Sequence, residues 1–157
     1  MSATKSEGYD GGGFNCVDAY DGATLSLELC DLTCECGFAV VEISAAGSAA
    51  TISGCCIHDG ASTGVSIHDG ASATLENNNI HSNIGHCVQV AGEGTEVVLR
   101  GNCIHDGEEG GLLIVNKASA TLENNTITDN DLPGVTIAGH STATLNGNTI
   151  KLSLIHI

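Results

Sequence analysis

Apolar residues recur along this chain in columns about two dozen positions apart. Ile52, Leu75, Leu99, Leu122 and Leu145 form one column, with steps of 23, 24, 23 and 23. Ile57, Ile80, Ile104, Ile127 and Ile150 form a second with the same steps. A third is Val65, Val88, Leu112 and Val135, followed two residues on by Ile67, Val90, Ile114 and Ile137. Val41 and Ile43, then Val17 and Ala19, carry these last two columns upstream in steps of 24. Around each position apolar and polar residues alternate over short runs, as in TLE and VTI. Period two is the strand signal, and no stretch offers a helical face. Each unit therefore predicts three short strands separated by turns rich in Gly, Asn and Asp. The predicted fold is all-β: a single-stranded right-handed parallel β-helix, a pectate-lyase-like solenoid of five to six coils of 23–25 residues. A leucine-rich repeat has a similar length, but its LxxLxLxxN pattern is absent.

A longer period overlies the short one. ASATLENNNI (71–80) and ASATLENNTI (118–127) are offset by 47 residues, with the degenerate EVVLRGNCI (96–104) between them. Asn78, Asn102, Asn125 and Asn148 form a further column two residues before the isoleucines. Asn tolerates the left-handed backbone of a sharp corner. Stacked at ~4.8 Å, these amides are expected to hydrogen-bond from coil to coil as a ladder. In earlier coils the column reads Cys55 and Cys30, small residues suited to burial, whose spacing also permits a disulfide. Cys56 and Cys103 share another column but are two coils apart, too far to bridge.

The repeat organises residues 14–150 as one domain. Residues 1–13 are read as a flexible leader. Within 20–36 the run DGATLSL aligns on either Leu25 or Leu27. The terminal residues 151–157 end in LSLIHI, which resembles translated sequencing adapter, and are expected to be a non-native tail on a truncated domain. Solenoids need polar caps, and none follows Ile150.

Hydrophobic residues at 41% against 15% charged are enough for a buried core. The net charge of −15 argues against nucleic acid and anionic membrane surfaces as partners. No run approaches the length of a membrane span, and the start has no signal-type apolar stretch. With Met1 as the true start, a cytoplasmic location is expected; a longer N-terminus leaves secretion open. The 8 cysteines include no CxxC, and a cytosolic chain would keep them as thiols.

IHDG occurs at 57–60, 67–70 and 104–107. The first and last copies share a phase and the middle one does not, which argues for a structural phrase over a dyad. Neighbours on a strand face opposite ways, so His58 and Asp59 are expected not to pair. His58, His81 and His105 form an outward column with no carboxylate beside it on the same strand. Three stacked imidazoles suit a transition metal or a pH-sensitive strip. The column is read here as a binding ladder, with no metal and no other cofactor assigned. Glu76, Arg100 and Glu123 are expected to form an inter-coil ion-pair ladder. Asp59, Asp106, Glu108, Glu109, Asp129 and Asp131 are read as an acidic rim rather than a calcium site. Thr51, Thr74, Thr121 and Thr144 share an outward column broken by Val98, which argues against an ice-binding array.

Many parallel β-helices cleave acidic polysaccharides, but fold alone does not assign that chemistry. Lys5, Arg100, Lys117 and Lys151 do not cluster, and the aromatics Tyr9, Phe14, Tyr20 and Phe38 all precede residue 39. Neither a basic cleft nor a clustered carboxylate pair is evident, so catalysis is not expected.

The stretch 100–150 resembles the β-helical substrate-recognition region of F-box proteins, a repeat class that includes carbohydrate-binding and sugar-hydrolysing domains. The matching pieces are Asn102, Ile104-His105-Asp106-Gly107, Gly110-Gly111, Leu122-Glu123-Asn124-Asn125, Asn130 and Gly134-Val135. The alternation of an IHDG coil with an Asn-rich coil is shared too. No F-box itself is present in these residues. The resemblance implies a non-catalytic protein-recognition module, in the manner of ubiquitin-ligase substrate recognition, with a protein partner. A carbohydrate-binding or polysaccharide-processing (lyase- or hydrolase-type) β-helix is the alternative, with carbohydrate as the ligand. The outward residues Ser66, Gln89, Leu113 and Thr136 are the candidate binding face.

Overall fold

The computed structural model describes residues 14–35 and 37–152. Residues 1–13, Cys36 and most of the tail (153–157) lie outside the described residues. The described chain winds through three parallel sheets of six strands each. The first sheet stacks Val17–Ala19, Ala39–Ser44, Thr63–His68, His86–Ala91, Gly110–Val115 and Val135–Ile137. The second stacks Thr24–Glu28, Ala49–Ser53, Ser72–Glu76, Glu96–Arg100, Ser119–Glu123 and Thr142–Asn146. The third stacks Asp31–Thr33, Cys56–His58, Asn79–His81, Cys103–His105, Thr126–Asn130 and Thr149–Leu152. The last strand extends two residues past the Ile150 boundary, and Leu152 pairs with Asn130. Among the described residues no helix is long and apolar enough to cross a membrane.

The apolar columns are the register. Ile52 pairs with Leu75, Leu75 with Leu99, Leu99 with Leu122 and Leu122 with Leu145. Leu27 is the partner of Ile52, which decides between the two alignments at DGATLSL. Leu27 is buried, whereas Leu25 stacks over Ala50 and is half exposed. Ile52, Leu75, Leu99 and Leu122 are all 0% exposed, so the stack is one continuous apolar interior. Burying such a side chain contributes about 1.5–3 kcal/mol. In the last coil Ile137, Leu145 and Ile150 of the same columns are exposed, because no further described coil covers them.

The asparagine column is a buried ladder. At Asn102, Asn125 and Asn148 the Oδ1 accepts from both the backbone N–H and the Nδ2 of the preceding coil's Asn. Asn78 N and Nδ2 both donate to Asn102 Oδ1 at 3.0 Å, and Asn102 and Asn125 repeat the arrangement. Each Nδ2 also donates to a strand carbonyl, as Asn102 does to Leu75 O at 2.8 Å. Asn78 Oδ1 extends the ladder to Cys55 N at 2.9 Å, and Cys55 Sγ accepts from Cys30 N at 3.4 Å. Cys30 and Cys55 are free thiols in the structure.

One expectation about this column is corrected. The left-handed corner is not at the ladder Asn but one residue earlier, at Leu29, Gly54, Asn77, Gly101, Asn124 and Gly147, all with positive φ. The ladder residue stays in register so that its amide points inward, and its predecessor makes the bend.

From Gly54 onward that corner column alternates Gly and Asn, and the alternation accounts for the 47-residue period. The Asn77 amide lies where a Cβ on Gly101 would sit, 2.5 Å from its Oδ1. A second interlock runs through Gly60, Asn83, Gly107 and Asn130. Gly60 N donates to Asn83 Oδ1 at 2.9 Å, and Gly107 N donates to Asn130 Oδ1 at 2.8 Å. Asn83 and Asn130 are buried, each over the glycines of the preceding IHDG coil. A coil carrying a polar side chain at these corners needs a coil without one as its neighbour, so the repeating unit is a pair.

Candidate functional site

The first sheet's outward face carries Asp18, Glu42, Ser66, Gln89, Leu113 and Thr136 in one register column. Thus Ser66, Gln89, Leu113 and Thr136 line up as the spacing predicts. Ser66 and Gln89 join a concave feature. A groove of about 360 Å³ is lined by Phe38, Glu42, Ser62, Thr63, Ser66, His68 and Gln89. Phe38 is 63% exposed, an aromatic face presented to solvent from the turn before Ala39–Ser44. The groove therefore combines an apolar platform with hydroxyl, amide, carboxylate and imidazole groups, the composition of a ligand site for a polar molecule with apolar faces.

Its charged members are held in place. His68 Nε2 lies 2.8 Å from Glu42 Oε1, and Nδ1 lies 2.9 Å from Asp69 Oδ2. Asn15 Nδ2 donates to Glu42 Oε2. The same Nδ2 donates to Asp18 Oδ1 at 2.6 Å, while Asn15 Oδ1 accepts from Ala39 N at 2.8 Å. Both oxygens of Glu42 are thus engaged.

The first sheet's histidines should titrate on opposite sides of the ordinary value of 6.5. Burial works hardest against His68, but hydrogen bonds to Glu42 and Asp69 and their charges outweigh it and raise the pKa. Burial prevails at His86, despite Glu109 at 3.3 Å, and lowers it. Protonated His68 adds stability that is complete below about pH 6.5 and is lost as pH rises through its folded-state pKa. His86 acts in the opposite sense, costing stability as pH falls below about 6.5. Ring-proton NMR titration is expected to place His68 above 6.5 and His86 below it. His68→Gln should flatten the stability loss above pH 6.5; the reverse order of titration would refute the assignment.

The third sheet's outward column brings His58, His81 and His105 into a stack. Ring centroids are 5.2 and 4.9 Å apart, with planes within 5° and 6° of parallel. One expectation about it is corrected. No carboxylate shares its strands, but carboxylates just past them and on the preceding coil flank it: His58 Nδ1 is 2.6 Å from Asp59 Oδ2 and Nε2 is 2.7 Å from Asp31 Oδ1, while His105 Nδ1 is 2.7 Å from Asp106 Oδ2. His58 and Asp59 therefore pair. Strand alternation fails at Asp59 because its backbone is left-handed, with φ of 52°, which turns its side chain back onto the histidine's face. Asp69 and Asp106 do the same at φ of 55°. All three IHDG copies are thus one local device, an imidazole held by the carboxylate that follows it, whatever the phase. Ser82, also at φ 55°, holds His81 Nδ1 through its Oγ at 2.9 Å.

Elsewhere Arg100 bridges Glu76 at 3.2 Å and Glu123 at 2.8 Å, the expected ion-pair ladder. The second sheet's face, with Thr51, Thr74, Val98, Thr121 and Thr144 in register, forms a shallow groove of about 520 Å³ without an aromatic residue. Buried Cys87 is no nucleophile: burial pushes its thiol up to about 12.

The residues behind the F-box resemblance occupy fold positions. Asn102, Ile104, Leu122, Asn125 and Asn130 are buried. A Cβ on Gly107, Gly111 or Gly134 would meet the adjoining chain at under 3.0 Å. Any solenoid of this coil type would need them.

In comparisons with known proteins, no curated sequence matches the chain. Among solved structures it is similar to pectate lyase Pel9A, with TM-score 0.55, 17% identity, and coverage of 65% of this chain and 28% of that one. It is also similar to a point mutant of the periplasmic alginate epimerase AlgG, with TM-score 0.59, 11% identity, and coverage of 83% and 42%. The chain thus spans less than half the length of either, and the likeness is one of fold. The family model described as "Right handed beta helix region" matches residues 4–150. That match runs through all three stacked sheets, and the chain belongs to the right-handed β-helix family.

Proposed function

We propose that this β-helix recognises a carbohydrate chain, and specifically a neutral glycan seated in the first-sheet groove. The observation that carries this reading is the groove itself, where exposed Phe38 faces Glu42, Ser66, His68 and Gln89. A sugar ring offers an apolar face to an aromatic and hydroxyls to side-chain acceptors and donors. Both structural neighbours are named for enzymes of uronate polymers, pectate and alginate, which supports a polysaccharide ligand. The charge supports a neutral one. The groove contains no Lys or Arg, and the net charge of −15 repels a polyuronate.

Binding rather than cleavage fits the state of the carboxylates. Glu42 is committed to His68 and Asn15, and Asp69 to His68, so their role is to orient polar groups towards a ligand. Recognition of a protein partner has less behind it, because the residues that suggest it are turn and core positions and neither neighbour is a protein-recognition module.

Calorimetric titration with neutral glucan, xylan and mannan oligosaccharides, beside pectate and alginate oligomers, tests the reading. A neutral oligosaccharide is expected to bind, with Phe38→Ala weakening it about tenfold, or ~1.4 kcal/mol. Binding of none of these glycans, or binding indifferent to Phe38→Ala, would overturn it.

A further inference from the structure

We propose that Asp31 Oδ1, Cys56 Sγ and His58 Nε2 form a three-ligand site for a divalent transition-metal ion of zinc type, with the fourth position open to solvent. These three ligand atoms come from two consecutive coils and all lie within 4.8 Å of one another. Asp31 and Cys56 are register partners, and His58 lies two residues beyond Cys56 on the same outward face. Coil stacking thus brings a hard oxygen, a soft sulfur and an imidazole nitrogen to one point, a donor set suited to zinc or cobalt.

The orientation of the donors is independent support. A ligating imidazole normally gives its other ring nitrogen to a carboxylate, which fixes the tautomer and aims the free lone pair. His58 already has that arrangement, with Nδ1 against Asp59 Oδ2 at 2.6 Å and Nε2 directed at Asp31. The present 2.7 Å between Nε2 and Asp31 Oδ1 would open to roughly 3.3 Å around a tetrahedral ion with bonds of about 2.0–2.1 Å. Asp31 is 79% exposed and free to make that move. On binding, the ion displaces to solvent both the Cys56 thiol proton and the Nε2 proton that His58 gives to Asp31, so a sulfur–metal and a nitrogen–metal bond replace the sulfur–hydrogen and nitrogen–hydrogen bonds. His81 Nε2 lies 3.5 Å from Cys56 Sγ, a polar neighbour beside the bound sulfur.

Among the described residues the donor set is complete at this end of the histidine ladder alone. One coil on, Asn79 stands in the place of Cys56 beside His81, and two coils on, beside Cys103 and His105, the same Asn79 stands in the place of Asp31, its Oδ1 holding His105 Nε2 at 2.8 Å. Cys103 sits in the same column a coil further, with Thr126 beyond it.

Cobalt titration of the untagged full chain in a non-thiol reductant tests the assignment. One equivalent of Co²⁺ should produce a near-ultraviolet sulfur-to-cobalt charge-transfer band that Zn²⁺ bleaches. Cys56→Ser should abolish the band and weaken binding about 100-fold, and Asp59→Asn should weaken it about tenfold. Cys103→Ser should leave both unchanged. Cys56 is half exposed, and far-ultraviolet circular dichroism reports whether its variant folds. If it does not, His58→Gln takes its place. No stoichiometric cobalt binding by the parent chain, or a band that persists in Cys56→Ser or at full strength in His58→Gln, would overturn the proposal.

Discussion

Asn102→Ala should lower the stability of this β-helix by about 4 kcal/mol, a large part of the ~5–15 kcal/mol that folded domains have in total. The side chain is 1% exposed and makes no apolar contribution that alanine would lose. What it loses is satisfaction of its neighbours. Asn102 Oδ1 accepts from Asn78 N and from Asn78 Nδ2, and its own Nδ2 donates to Leu75 O. Truncation leaves the buried Asn78 N–H without its acceptor, strips Asn78 Nδ2 of one of its two acceptors, Ile52 O remaining, and takes the amide donor from Leu75 O, with no water to replace it, at about 1–3 kcal/mol for each group left unsatisfied. Asn148→Ala is the control. It removes the equivalent bonds to Asn125 and Leu122, but Asn148 is half-buried at the last described coil, where water replaces them. It should cost no more than about 1 kcal/mol. Urea denaturation of the two variants against the parent checks the difference. Equal costs would mean that the ladder is not what ties the coils together at this corner.

The ladder was legible in the sequence because one residue type repeats at one spacing. The same is true of the leucine and isoleucine columns, where like stacks on like. Legibility ended where neighbouring coils differ. Gly60, Asn83, Gly107 and Asn130 form a column no less regular, yet it alternates between no side chain and a buried amide, and a search for repeated residues passes over it. Leu25 and Leu27 satisfy period two equally well, and only packing of Leu27 over Ile52 separates them. That ambiguity hid Asp31, since its place beside Cys56 and His58 follows from the register of the first coils. The pairing of Asp59 is hidden for a different reason: strand alternation ends at His58, and Asp59 lies one residue beyond, on a left-handed backbone. The first-sheet groove was half visible. Ser66 and Gln89 lie on strands, but Phe38 comes from a turn whose position no periodicity fixes.

The two candidate sites use the same architectural fact in different ways. The groove draws Glu42, Ser66 and Gln89 from three successive coils of one sheet, and Asp31, Cys56 and His58 meet across two coils of another. In both cases residues about two dozen apart in sequence are neighbours at ~4.8 Å. A substitution that changes coil spacing would therefore reach any site built across coils, even from the interior.

Gly111→Ala makes that coupling measurable and should cost about 3 kcal/mol, the upper part of the range for overpacking. Gly111 does not have a left-handed φ, so alanine meets no backbone penalty there, and the cost is steric. Its Cβ would lie 2.5 Å from Gly134 O, 2.7 Å from Ile127 Cγ2 and 2.9 Å from Asn130 Nδ2. The carbonyl belongs to the next coil and cannot rotate away, so that coil must shift. Asn130 is the buried amide that accepts from Gly107 N at 2.8 Å, and displacing it breaks the second interlock as well. Gly94→Ala separates this mechanism from simple loss of glycine. Gly94 has φ of 81° but open space around it, the nearest atom being Gly70 Cα at 3.8 Å. Its substitution costs left-handed strain alone, about 1–2 kcal/mol. Thermal and urea unfolding should therefore rank Gly111→Ala below Gly94→Ala in stability. Hydrogen exchange should place the loosening in Gly111→Ala at its own strand, Gly110–Val115, and at the next coil's, Val135–Ile137. The opposite ranking would show that the coils tolerate a methyl group between them, and that Asn130 keeps its place over Gly107 in spite of it.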